Sequence, residues 1–318
     1  MLAPLEALSP SSSRAVHLSA DSGPMVEAMR DQIDARLAQL LGDGGRPSSR
    51  VGEALRYGAL APGKRVRPLL TLLVGRALGI DSGRLIDAAC ALEMVHAASL
   101  FVDDLPCMDD ADLRRGQATV HMKFGEDVAV LAAIALLTCA YRTIATAASL
   151  TPSMRMQMTE VLSNAVGLDG LVGGQYRDLH TGPNLQGTAY TEQTNEQKTG
   201  VLLAASFEIA CIAASASPAT RHRMRAVATE LGQAFQLADD LTDAESTDLL
   251  AGKSCGKDAG KPTLMALLGS MGARERLLQH LADAQSLWQR AVPGELLVST
   301  YFQSLFRQIG PADSGRPV

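Results

Sequence analysis

The chain has 318 residues, 47% of them hydrophobic and only 4% aromatic, with a formal net charge of −5 from 29 Lys and Arg against 34 Asp and Glu. That length buries a sizeable core in one large domain or two ordinary ones, and apolar content leaning on Ala, Leu and Met favours helices over strands. The acidic balance excludes a broad electrostatic footprint for nucleic acid or an anionic membrane, so an anionic ligand must be met by local basic clusters or by metal.

In chain order, residues 1–23 are rich in Ser, Pro and Ala without sustained periodicity and read as a flexible N-terminal extension; no charged segment followed by an apolar one suggests a secretory signal. The pattern MVEAMRDQIDARLAQLL from Met25 to Leu41 spaces its apolar residues as an amphipathic helix, ended by Gly42-Asp-Gly-Gly. Further helices are expected at Arg50–Leu60, Val66–Leu78, Ser82–Leu105, Glu126–Ala148, Pro152–Asp178, Tyr190–Ala214, Pro218–Ser246, Thr263–Leu268, Ala273–Arg290 and Glu295–Gln308, and residues 311–318 read as a flexible tail. No run alternates with period two long enough to read as a strand. With no internal repeat or linker, residues 24–310 are expected to form a single all-α domain, a large bundle of antiparallel helices whose most apolar members are central. The apolar stretches around Val128–Ala140 and Val201–Ala214 are short, or broken by Glu208, so no transmembrane segment is expected. Cys90, Cys107, Cys139, Cys211 and Cys255 form no CxxC pair and read mostly as reduced core residues of a cytoplasmic protein.

Two acidic clusters carry the chemistry. Asp239 and Asp243 lie four residues apart in ELGQAFQLADDLTD, so on a helix their carboxylates share one face about 6 Å apart along the axis, with Gln236 one turn earlier. Carboxylates crowded at the C-terminal end of a helix repel one another and oppose the macrodipole, which calls for a cation, and oxygen-only ligands suit Mg²⁺. One such cluster alone is as well explained by a solvated helix end. A second changes the balance: the apolar helix from Ser82 runs into Asp103 and Asp104, and Pro106 must then bulge the chain before Asp109 and Asp110. Facing one another across a bundle, the clusters could clamp a diphosphate. Basic groups stand beside both: Gly63-Lys64-Arg65-Val66-Arg67-Pro68 upstream, Arg114-Arg115-Gly116 after the first, and Gly252-Lys253, Gly256-Lys257 and Gly260-Lys261 after the second.

The segments FVDDLPCMDDADLRRGQATVHMKFGE and GQAFQLADDLTD…GKSCGKDAGKPTL, together with GKRVRP, VGGQYRDL and the Lys198-Thr199-Gly200 step, resemble the signature regions of the trans-isoprenyl diphosphate synthases (polyprenyl synthetases), above all the bacterial geranylgeranyl diphosphate synthases of the carotenoid-pathway type. The likeness runs from about residue 25 to 300. It implies the isoprenoid synthase fold around a deep central cavity, a homodimer, and Mg²⁺-dependent condensation of isopentenyl diphosphate with an allylic diphosphate. Three Mg²⁺ ions in the closed substrate complex, replaceable by Mn²⁺, are expected. By the same likeness Asp103, Asp104 and Asp109 would form the first metal group, and Asp239 and Asp243 the second. Arg114, Lys198 and Lys253 would hold the allylic diphosphate; Lys64, Arg67, His96 and Arg115 would hold isopentenyl diphosphate; Thr199 and Gln236 would stabilise positive charge beside the reacting carbons.

In this family a bulky residue just before the first cluster stops chain growth. Here Ala98 and Ser99 are small, so the floor should lie deeper, at Met94, Val95 or, on the following helix, Ile134 and Thr138, which favours C20 over C15. Val102, Ala118 and Ile134 depart from common family residues without removing a metal ligand. A class I terpene synthase would lack the Lys64, Arg67, His96 and Arg115 set, and a non-catalytic partner subunit would usually lose one aspartate cluster; neither fits.

Overall fold

The structure is a computed structural model in which residues 22–42, 49–180, 188–245 and 264–306 are described. Among them the order is α1 (Ser22–Leu40), α2 (Arg50–Ala59), α3 (Val66–Ala77), α4 (Ser82–Asp103), β1 (Leu113–Arg114), β2 (Gln117–Ala118), α5 (Val120–Phe124), α6 (Glu126–Thr146), α7 (Pro152–Val166), α8 (Leu171–His180), α9 (Thr188–Asn195), a π-turn at Glu196–Gly200, α10 (Val201–Ala213), α11 (Pro218–Glu245), α12 (Leu264–Ala291) and α13 (Leu297–Leu305). The expected all-α bundle is what forms. The expected extension and tail lie outside the described residues, apart from Ser22 and Gly23, which open α1.

Local chemistry sets many of the helix ends. Ser49, Asp81 and Thr151 accept from the backbone N–H of Gly52, Gly83 and Met154, capping α2, α4 and α7, and Pro152 opens α7 where its missing N–H costs nothing. Glu295 receives the first amides of α13 on its carboxylate and also accepts from the fully buried Trp288 indole.

The most apolar helices lie at the centre. Helix α10 packs against α3, α4, α7 and α11, and nearly all of its side chains from Leu202 to Ala213 are buried. Helix α4 lies between α3 and α6, and its buried residues run from Leu85 to Phe101. Both α4 and α6 are long and apolar enough to cross a membrane by length and composition, but 67% of the apolar window of α4 is buried inside the protein against 44% for α6. The core of α4 therefore accounts for its hydrophobicity, whereas α6 leaves Val130, Leu131 and Ile134 exposed.

Two expected helices are divided in the fold and two others are joined. Pro152–Asp178 breaks between Val166 and Leu171, where Gly167 and Gly170 turn the chain. Tyr190–Ala214 passes through the π-turn, and Gly269, at φ 72°, kinks α12 where two separate helices were expected. The hairpin β1–β2 lies in a segment with no strand signal. It pairs Leu113 with Ala118 and Arg114 with Gln117, and Arg115 and Gly116 both take positive φ in the two-residue turn.

Candidate active site

Helices α3, α4, α10 and α11, the hairpin and the π-turn surround a cavity of about 520 Å³. Of the residues expected from sequence, Lys64, Arg67, His96, Ser99, Asp103, Asp109, Arg114, Arg115, Lys198, Thr199, Gln236 and Asp239 all line it. Its apolar lining comes from Leu100, Leu171, Leu202, Leu203 and Phe235. Lys253 lies outside the described residues, as does the side chain of Asp243, whose backbone continues α11 one turn beyond Asp239.

The first acidic group is shaped by the end of α4. The helix stops at Asp103, Pro106 and Cys107 bulge outward, and the chain folds back until the Asp109 amide donates to the Asp103 carbonyl at 2.9 Å. Six residues of sequence thus collapse onto one helix end, bringing Asp103 and Asp109 to the same wall. Asp104 turns elsewhere. It is 2% exposed, borders a smaller adjoining cavity, and accepts at 2.6 Å from Arg114 Nε. In this structure Asp104 pairs with Arg114 and does not line the larger cavity with Asp103 and Asp109.

Burial pushes the Asp103 carboxyl up to about 6, and Asp109 and Asp104 add to the rise while Lys198 and Arg114 oppose it. Such a wall favours a hard cation. Among the described residues no three Asp, Glu, His or Cys side chains close into a protein-only cage. Few protein oxygens on an open cavity fit Mg²⁺, which keeps water and phosphate oxygens in its shell.

The second group rises from α11 and the π-turn. Thr199 Oγ1 donates to Gln236 Oε1 at 2.8 Å, and Gln236 Nε2 donates to Asp240 Oδ1 at 2.8 Å. Asp240 therefore orients the Gln236 amide, whose Oε1 accepts the hydrogen bond from the Thr199 hydroxyl. Lys198 Nζ donates to Asp178 Oδ2 on α8 at 2.7 Å. Burial pulls the Lys198 ammonium down, but Asp178, Asp109 and Asp103 together hold it above its ordinary value.

The basic group depends on a residue that motif reading left without a role. Arg65, at φ 48° and 2% side-chain exposure, donates from Nη1 to Glu93 at 2.8 Å, from Nε to Asp34 at 2.7 Å and from Nη2 to the Ala61 carbonyl at 2.9 Å. This buried anchor fixes the backbone between Lys64 and Arg67, and a non-glycine residue persists in the left-handed region because three bonds hold it there. Gly63 leaves room for Arg115, whose guanidinium would stand 2.5 Å from a Cβ at that position. Burial and the Arg67 and Arg115 charges hold the His96 ring well below its usual value, so it is neutral at pH 7.

Of the chain-length candidates, Ser99 lines the cavity, while Ala98 and Met94 are 1% exposed and packed in the core behind it. Ile134 lies on a different helix, α6. It stands 57% exposed and is not part of the lining, and Thr138 shares its exposed face. Asp178, Glu93 and Arg65 were missed as contributors. The available signals were the acid ending VGGQYRDL, the second cation of GKRVRP, and the carboxylate one helical turn before His96.

A family model described as polyprenyl synthetase matches residues 48–290. The chain is 50% identical over 268 residues to a geranylgeranyl diphosphate synthase from Pantoea ananas, covering 84% of this chain and 86% of that one. A geranylgeranyl diphosphate synthase from Pseudescherichia vulneris is 46% identical over 270 residues, with coverage of 84% and 87%. An apo crystal structure of an FPP/GFPP synthase from Zymomonas mobilis superimposes with a TM-score of 0.81 at 32% identity, covering 92% of this chain and 100% of that one.

Proposed function

The chain belongs to the polyprenyl synthetase family, and from that premise we propose that it condenses isopentenyl diphosphate head-to-tail with an allylic diphosphate, chiefly farnesyl diphosphate but also the dimethylallyl and geranyl primers, to give geranylgeranyl diphosphate. The observation that carries the reading is that one cavity is lined by two separate basic groups, Arg114 and Lys198 beside the carboxylates, and Lys64, Arg67 and Arg115 around His96, which suit two diphosphates.

Asp103 and Asp109 on one wall and Asp239 on the other, together with Asp243 one helical turn on in sequence, are the residues that would hold Mg²⁺, which when bound supplies neutralisation of the diphosphate oxygens. Three ions in the closed complex, with Mn²⁺ as a substitute, belong to the same reading. Arg114 and Lys198, joined by Lys253, bind the allylic diphosphate by charge-assisted hydrogen bonds. Lys64, Arg67 and Arg115 bind the diphosphate of isopentenyl diphosphate, and the neutral His96 ring donates without adding charge. Thr199 and Gln236 present oxygen lone pairs where the allylic carbon becomes positive as its C–O bond breaks. The double bond of isopentenyl diphosphate then forms the new C–C bond, and the released diphosphate accepts the proton lost from the adduct. Leu100, Leu202, Leu203 and Phe235 exclude water from the cation.

The protein acts as a cytoplasmic homodimer in this reading; the exposed apolar face of α6 supports the dimer, and the free Cys90, Cys107, Cys139 and Cys211 suit a reducing compartment. The deciding experiment supplies purified protein with Mg²⁺, isopentenyl diphosphate and each of dimethylallyl, geranyl and farnesyl diphosphates, and reads product length by chromatography. A C20 product is expected. Failure to elongate any primer would end the proposal, and termination at C15 would replace it with a farnesyl diphosphate synthase.

A further inference from the structure

The segment VGGQYRDL, residues 172–179, has no part in the reaction described above, yet α8 carries it directly along the π-turn that bears Lys198 and Thr199. A Cβ on Gly174 would stand 2.6 Å from the Lys198 amide nitrogen and 2.8 Å from the Gln197 carbonyl carbon, so any side chain there would force the backbones apart. On the opposite edge of the turn, a Cβ on Gly232 would stand 3.0 Å from Gly200 Cα. The turn is therefore seated between two glycines, one on α8 and one on α11.

Each glycine is followed four residues later, on the same face of its own helix, by the side chain that holds the turn. Asp178 accepts from Lys198 Nζ at 2.7 Å, and Gln236 accepts from Thr199 Oγ1 at 2.8 Å. A π-turn winds more residues into each turn than an α-helix, and here two consecutive side chains reach two different helices. Asp178 is not part of the cavity lining, whereas Lys198 is. The lysine is also drawn by Asp103 and Asp109, and an ammonium on a flexible four-carbon stem has many orientations available between them. A fixed carboxylate on α8 selects one.

On the premise that this cavity binds an allylic diphosphate, as inferred above, we propose that Asp178 is a positioning residue that aims Lys198 at that diphosphate, with Gly174 and Gly232 keeping the π-turn within its reach. It acts through Lys198 and not on substrate.

The test measures steady-state kinetics with Mg²⁺ for the wild-type chain, Asp178→Asn, Asp178→Glu, Lys198→Ala and the double variant Asp178→Asn/Lys198→Ala, varying each substrate separately. Loss of one hydrogen bond to a charged group is expected to lower kcat/KM for the allylic primer roughly 10- to 100-fold. The KM for isopentenyl diphosphate should stay within about twofold, and the double variant should be no worse than Lys198→Ala by more than about twofold. Asp178→Glu should recover part of the loss. Additive losses in the double variant, or equal loss toward both substrates, would overturn the proposal. A second readout does not need turnover: the pKa of ¹³C-dimethylated Lys198, followed by NMR in the apo protein, should fall in Asp178→Asn. An unchanged value there overturns the positioning role, whereas a wild-type chain that elongates no primer while this pKa falls defeats only the reading of the reaction.

Discussion

Arg65 and Glu93 form a buried pair at 2.8 Å, with side chains 2% and 3% exposed, so neither charge has water to fall back on. Removing one partner strands the other, which costs far more than an exposed pair is worth. Glu93→Ala is therefore expected to destabilise the protein by about 3–5 kcal/mol in urea unfolding, and a loss below about 1 kcal/mol would show that Arg65 is anchored by Asp34 and Ala61 alone. His96 tests the same basic group through pH. Arg65, Arg67, Arg114 and Arg115 surround it from α3 and the hairpin, and burial and these charges keep the folded ring neutral below its ordinary value. The unfolded chain protonates this histidine below about pH 6.5, so between that value and the depressed folded pKa the unfolded state binds the extra proton. Stability should fall as pH drops through that window. The wild-type urea midpoint should decline more between pH 7.5 and 5.5 than that of His96→Gln, and parallel declines would show that the ring is not held neutral.

At the scale of elements, we propose that the wall of α4 sets how long a chain the cavity accepts. Ser99 lines the cavity and donates from Oγ to the His96 carbonyl at 2.9 Å, one turn before Asp103. A ring there would fill the space into which the growing chain extends. Ser99→Phe is expected to shift the main product from C20 toward C15, read by chromatography of the dephosphorylated products, and an unchanged C20 product would place the floor elsewhere. Most of this architecture was legible because each helix carries its own 3.6-residue pattern and its own caps, as in α2 with Ser49 and α7 with Thr151 and Pro152. The convergence of Asp103 and Asp109 was legible only in part, since Pro106 signals a break in the helix but not the fold-back that brings the Asp109 amide to the Asp103 carbonyl. The π-turn was not, because nothing local to Glu196–Gly200 distinguishes it from the helices on either side; what sets it apart is its close seating against Gly174 and Gly232 on other helices. Nor was the role of Asp104, whose partner Arg114 is brought back by a hairpin of two-residue strands too short to show an alternating pattern.

Over the whole molecule, the exposed apolar face of α6 calls for an explanation. Helix α6 buries Ala129, Ala132, Ala133 and Leu136 against α2 and α4, yet exposes Val130 at 40%, Leu131 at 52% and Ile134 at 57%. Leu131 and Ile134 are three residues apart and Val130 and Ile134 four, so they form one stripe on the side away from the core. An apolar stripe of this kind calls for a partner, and we propose that a second copy of the same chain supplies it, one stripe lying against its twin in a two-fold, self-complementary contact. Light scattering on the purified protein is expected to give about twice the 33.5 kDa of one chain. Leu131→Lys with Ile134→Lys would place like charges opposite one another across the axis and should return the mass to that of a single chain, with the far-ultraviolet circular dichroism of the helices unchanged. A wild-type monomer, or a dimer indifferent to both lysines, would move the contact off α6 and leave the apolar stripe without a partner.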